Sequence, residues 1–83
     1  MISIRQLKAA RALLAWSQGD LAQASGISEP TIARLESIDG PIGGRADTAT
    51  ALVTALEKAG VEFIPENGGG AGVRLAKRAK RTK

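Results

Sequence analysis

Side chains able to do covalent or acid–base chemistry are scarce in this chain of 83 residues, which holds no His and no Cys. A zinc or iron–sulfur site, a disulfide framework and a thiol nucleophile are thereby excluded. The commonest general base is missing too, and no base stands ready for any Ser or Thr. No catalytic residue, metal ligand or cofactor is therefore assigned, and the chain is not read as an enzyme. The run Gly68-Gly69-Gly70-Ala71-Gly72 invites comparison with a phosphate loop. A dinucleotide fingerprint needs a strand before it, a helix after it and a whole βαβ unit, so a hairpin loop fits better. What remains is recognition by hydrogen bonds and charge. Ser17 and Ser28 are both suited to cap a helix, and a helix N-terminus offers free N–H groups to anions.

The elements that would position those residues are legible from periodicity and caps. Ile4, Leu7, Ala10 and Leu14 recur at helical spacing, which predicts an amphipathic helix from about Ser3 to Ala15. Arg11 falls on the same stripe, and a charge facing a core needs a partner. Ser17 with Asp20 three residues on forms a short capping box, and Leu21, Ala22 and Ala24 carry a brief helix that stops at Gly26. Ser28 caps again, with Glu29 and Pro30 in the first turn and Ile32 and Leu35 on the apolar face. Asp39-Gly40-Pro41 and Gly43-Gly44 end this helix. Asp47 to Ala59 is the clearest helix, with Ala49, Leu52, Val53, Leu56 and Ala59 expected on one buried face. Val61–Ile64 and Gly72–Leu75 read as two strands of a hairpin, which must pack on the helices or on a second copy of the chain. Trp16, between two short helices, is read as a core plug.

The net charge of +4 suggests an anionic partner, but its distribution complicates that inference. Residues 1–19 carry +3, residues 20–66 carry −5, and residues 67–83 carry +6. The middle of the chain is acidic, and a terminal Lys/Arg run is often only a solvated tail. The 43% apolar content indicates a folded chain, and no run reaches the roughly 18–20 apolar residues of a membrane span. With no cleavable signal pattern, a cytoplasmic location and no membrane partner are expected.

Two short helices joined by a glycine turn, in the string SQGDLAQASGISEPTIARLES, form a helix-turn-helix pattern. At Ser17-Gln18, Leu21-Ala22, Gly26-Ile27-Ser28, Thr31-Ile32 and Leu35-Glu36 the sequence resembles the Cro and phage-repressor family, also called XRE-type regulators. The likeness continues through RADTATALVTALEKAGVEFIPENGGGAGVRL and covers roughly residues 4–75. It implies an all-α, lambda-repressor-like bundle of four to five short helices with a C-terminal strand or hairpin. In that geometry the second helix of the motif enters the major groove, and the first aims its N-terminus at the phosphate backbone. The resemblance implies Glu29, Pro30 and Arg34 as base readers, with Ser28 and Thr31 toward phosphate, Gln18 at phosphate and base edges, and Ser17 and Ser37 completing the DNA-contacting set. Arg34 is the strongest of these, because a bidentate fork to guanine is the commonest specific contact. Glu29 can only accept, for instance from cytosine N4, and Pro30 offers no donor. The family also pairs an arginine of the first helix with the glutamate closing the recognition helix, here Arg11 and Glu36. The stripe argument independently asks for a partner for Arg11.

The expectation is thus a sequence-specific transcriptional regulator of double-stranded DNA. Residues 1–60 form the DNA-binding unit, residues 61–75 a strand or hairpin for homodimerisation, and residues 76–83 a basic tail. The alternatives are an antitoxin that uses the same domain with a toxin as partner, or a protein-interaction module. Glu29 and the acidic middle favour the latter.

Overall fold

The computed structural model describes residues 2–76. Apart from Ala76, the basic tail lies outside the described residues. Four helices precede a hairpin: α1 (Ile4–Leu14), α2 (Gln18–Ser25), α3 (Glu29–Glu36), α4 (Ala46–Lys58), then β1 (Val61–Ile64) and β2 (Gly72–Leu75). The first stripe behaves as an amphipathic helix should: Ile4, Leu7 and Ala10 are buried, Leu14 is half-buried, and Arg11 lies at the edge of the core. Ser3 caps α1 by accepting from the Gln6 N–H, and Gln6 Oε1 accepts from the Ser3 N–H in return. Ala15 then turns the chain with a left-handed backbone at φ 57°.

The capping box at α2 has both halves: Ser17 Oγ accepts from the Asp20 N–H at 3.0 Å, and Asp20 Oδ2 accepts from the Ser17 N–H at 2.9 Å. Gly26, at φ 78°, ends α2 where a Cβ would be strained. Ser28 Oγ caps α3 through the Thr31 N–H, and Pro30 sits where its missing donor is harmless.

Leu7, Leu21, Ile32, Leu52 and Leu56 fill the centre, with Trp16, Ile27, Leu35, Phe63 and Val73 packed around them. Trp16 is therefore part of the core wall. On α4 the buried face differs from the expected one. Leu52, Ala55 and Leu56 are buried, while Ala49, Val53 and Ala59 are only half-buried. This helix packs against α2 and β1 together, which turns its centre of burial toward Ala55. Ala49 and Val53 instead line an open groove with Ile2 and Ile42.

The strands pair antiparallel in the register Val61↔Leu75, Glu62↔Arg74, Phe63↔Val73 and Ile64↔Gly72. A two-stranded hairpin is marginal alone. Here it leans on α1 and α4, and Gln6 fastens it: its Nε2 donates to Gly72 O at 2.9 Å and to Ile64 O at 3.4 Å.

Ala15 supplies a prediction. A non-glycine residue in the left-handed region costs about 1–2 kcal/mol, partly offset by the greater freedom of glycine in the unfolded chain. Ala15→Gly is expected to raise stability by about 0.5–1 kcal/mol in urea unfolding. A loss would contradict the left-handed cap.

Candidate nucleic-acid interface

Helix α3 is divided lengthwise by its burial. Ile32 and Glu36 are buried and Leu35 half-buried, whereas Ser28, Glu29, Pro30, Ala33 and Arg34 are exposed. The exposed flank carries an acid at its N-terminal end and a base at its C-terminal end. The three serines of the expected set have structural work. Ser17 and Ser28 cap α2 and α3, and Ser28 Oγ also donates to Thr31 Oγ1 at 2.9 Å. Ser37 Oγ donates to Arg34 O at 2.6 Å, closing the last turn of α3. Thr31 and Arg34 lie one turn apart on α3 and line a groove with Leu35, Ile38, Arg45 and, at the start of α4, Thr48. Arg45 brings a second guanidinium to the rim, where it donates from Nε and Nη2 to the exposed Asp47 carboxylate at 3.2 and 3.3 Å. The sequence pattern gave no reason to single it out beyond its place before a helix.

Beneath this surface lies an ion pair. Arg11 Nε donates to Glu36 Oε2 at 2.8 Å, and Arg11 Nη2 donates to Glu36 Oε1 at 2.6 Å. The guanidinium is only 19% exposed and the carboxylate 3%. Arg11 Nη1 donates to Trp16 O at 2.9 Å, which ties the pair to the turn between α1 and α2. Gln18, the first residue of α2, completes it by donating its Nε2 to Glu36 Oε1 at 2.9 Å. The resemblance marks Gln18 only as a DNA contact; its link to Glu36 depends on the interhelix geometry. Burial pushes the Glu36 carboxyl upward, but the hydrogen bonds from Arg11 and Gln18, with the charges of Arg11 and Lys8, outweigh it. The carboxyl is held below the usual carboxylate range. The Glu36 hydrogen bond raises Arg11 above its ordinary value, against burial. The pair is charged at neutral pH.

A second bridge braces the far end of α3. Arg5 donates from Nε and Nη2 to the Asp39 carboxylate at 3.1 and 2.9 Å. Both side chains are exposed, and such pairs add little stability. At the front of α2 the cap takes the Asp20 N–H, and the Leu21 N–H returns to Ser17 O at 3.1 Å. The N–H groups of Gln18 and Gly19 are left directed out of the helix end. The arrangement offers two free backbone donors on α2, an exposed flank on α3 and two arginines at one rim. It suits hydrogen bonding to an extended polyanion. Among the described residues no cluster of three or more carboxylates could hold a metal ion.

Residues 7–37 match the family model described as "Helix-turn-helix", the Cro/C1 or XRE type. Over this segment, somewhat over a third of the chain, the sequence is similar to that family. No curated protein matches the chain. The matched span runs from Leu7 in α1 to the α3 cap at Ser37, so it includes the helix-turn-helix proper and the arginine that braces it. No helix among the described residues is long and apolar enough to cross a membrane.

The buried pair generates a prediction about stability. Glu36→Ala strands the Arg11 guanidinium and is expected to cost about 3–5 kcal/mol in urea unfolding. A loss under about 0.5 kcal/mol would show that the pair carries no structural weight. Because the folded value of Glu36 is depressed, the unfolded chain binds its proton more tightly. The Glu36 contribution is therefore present above the ordinary glutamate value and is lost as pH falls through the depressed one. Glu36→Gln should flatten that acid-side decline, and an unchanged decline would contradict the assignment.

Proposed function

We propose that this chain is a sequence-specific transcriptional regulator of the repressor type, which binds double-stranded DNA as a homodimer in the cytoplasm. The observation that carries this reading is the division of α3. One flank is anchored by Ile32 and the buried Glu36, and the opposite flank presents the side chains of Glu29, Pro30, Ala33 and Arg34 to solvent. A helix held in this way can enter a major groove as a rigid reader. Arg34 is the main base-reading residue, with its guanidinium available for a bidentate contact to guanine O6 and N7. Ser28 and Thr31 lie beside the phosphate backbone, and the N–H groups of Gln18 and Gly19 meet a phosphate at the α2 N-terminus. Arg45 adds backbone charge at the α4 end of the same groove. The protein acts by binding and without a cofactor.

The hairpin supports dimerisation. In a two-stranded sheet each strand keeps one outer edge without a strand partner, and Leu75 on β2 is 50% exposed. Pairing of these edges between two copies would cover both. A single reading helix has modest affinity, whereas two related by a two-fold axis read half-sites about one helical turn apart.

The test starts with selection of bound sequences from a random duplex pool. Arg34→Ala should then weaken binding to the selected duplex by about 10–100-fold, while binding to unrelated DNA falls much less. The wild-type complex should contain two chains per duplex. Equal affinity of Arg34→Ala and wild type for the selected duplex would contradict the reading.

A further inference from the structure

Three residues of the chain carry a side-chain amide or carboxyl directly before a glycine: Gln18, Asp39 and Asn67. In such a pair the next backbone nitrogen can attack the side-chain carbonyl carbon, because glycine has no Cβ to obstruct the approach and turns freely. The structure separates the three. Gln18 lies in the helical backbone of α2, and its amide donates to Glu36 Oε1 at 2.9 Å. Asp39 accepts from Arg5 at 3.1 and 2.9 Å and from the Gly40 N–H at 3.0 Å. The Arg5 guanidinium holds this carboxyl below its ordinary range, and an ionised carboxylate offers no group that a weak nitrogen nucleophile can expel. Its turn is pinned as well, since Gly40 O accepts from the Ile4 N–H at 2.7 Å.

Asn67, the only asparagine of the chain, stands apart from both. It lies in the loop of residues 65–71, all of them exposed. Among the described residues neither its side chain nor the Gly68 N–H takes part in a hydrogen bond. Gly68 has φ 96°, and a Cβ built there would meet nothing within 4 Å. Gly69 and Gly70 follow, so the backbone keeps the freedom to bring the Gly68 nitrogen onto Asn67 Cγ.

We propose that Asn67 is a site of spontaneous modification, where the loop converts asparagine to aspartate and isoaspartate without an enzyme. The Gly68 nitrogen attacks Asn67 Cγ and forms a C–N bond. The bond from Cγ to the side-chain nitrogen breaks, and ammonia leaves with the proton that the Gly68 nitrogen gave up. The five-membered imide then takes up one water. Opening at Cγ gives aspartate in the normal chain. Opening at the Asn67 main-chain carbonyl gives isoaspartate, with the backbone routed through Cγ and longer by one carbon. Either product carries a negative charge where the amide was neutral. The change stays in the loop, because Gln6 Nε2 holds its two ends, Ile64 O at 3.4 Å and Gly72 O at 2.9 Å. The strands are also braced by Arg74, which donates to the Glu62 carboxylate at 2.9 and 3.0 Å.

The test is to age the full chain in mildly alkaline buffer and digest it with trypsin, which releases residues 59–74 as one peptide. That peptide should give way to two products, each heavier by the difference between an amide and a carboxylic acid. Sequential degradation should stop at residue 67 in the isoaspartyl product. The rate should match that of the isolated peptide 59–74 within about threefold, because nothing has to open before the ring closes. The peptides that hold Gln18 and Asp39 should keep their mass and retention. Aged and fresh protein should unfold at the same urea concentration. An Asn67 amide that persists in the native chain while the free peptide loses it would overturn the inference. Conversion at Gln18 or Asp39 as fast as at Asn67 would overturn it also, and a lowered urea midpoint would show that the change does not stay in the loop.

Discussion

The structure turns on a carboxylate that is 3% exposed and carries a charge. Burying an ion is costly unless its attraction and hydrogen bonds are nearly complete, and at Glu36 they are. Oε2 accepts from Arg11 Nε, and Oε1 accepts from both Arg11 Nη2 and Gln18 Nε2. Three elements meet at this one side chain: α1 through Arg11, the start of α2 through Gln18, and the end of α3 through Glu36 itself. Arg11 also holds the carbonyl of Trp16, so the turn between α1 and α2 is fixed by the same guanidinium. The position of the first turn of α2 relative to α3 is thus set by hydrogen-bond lengths. Apolar packing, which tolerates sliding, could not define it so narrowly.

That constraint gives meaning to an otherwise unpromising charge distribution. Residues 20–66 are net acidic, and the positive excess lies at the two ends of the chain. A unit of this kind gains little from bulk attraction to DNA. In the proposed reading it depends on placing a few groups well: the N–H groups at the head of α2, Arg34 on α3 and Arg45 at the rim. Misplacement by an ångström would leave little to hold a duplex, so a rigid interhelix bond matters more here than in a strongly basic domain.

Much of the fold was legible because the signals are local. Ser17 with Asp20, Gly26, and Ser28 with Pro30 each act within a few residues, and α2 and α3 begin and end where those residues require. Arg11 was legible for a different reason: a charge on an apolar stripe has to find a partner, and the resemblance to the Cro and phage-repressor family pointed to Glu36. What escaped the sequence depends on distant geometry. Gln6 looks like an ordinary polar residue beside an apolar stripe, yet it is buried because its partners are carbonyls 58 and 66 residues away. Arg5 and Asp39, 34 residues apart, are surface residues that only the fold brings together. The buried face of α4 moved toward Ala55 because two elements press on that helix and periodicity describes only one face.

The central claim is that the Arg11–Glu36 pair positions the reading helix, and that its contribution to stability is secondary. A double substitution separates these roles, since apolar residues of similar size can replace a buried ion pair with little loss of stability. The decisive measurement is duplex binding by Arg11→Met/Glu36→Met, made alongside its urea unfolding. The account predicts a folded protein within about 1–2 kcal/mol of wild type whose affinity for the selected duplex is reduced at least about tenfold, because Gln18 and α3 are no longer held. A folded double variant that binds the duplex as tightly as wild type would contradict it.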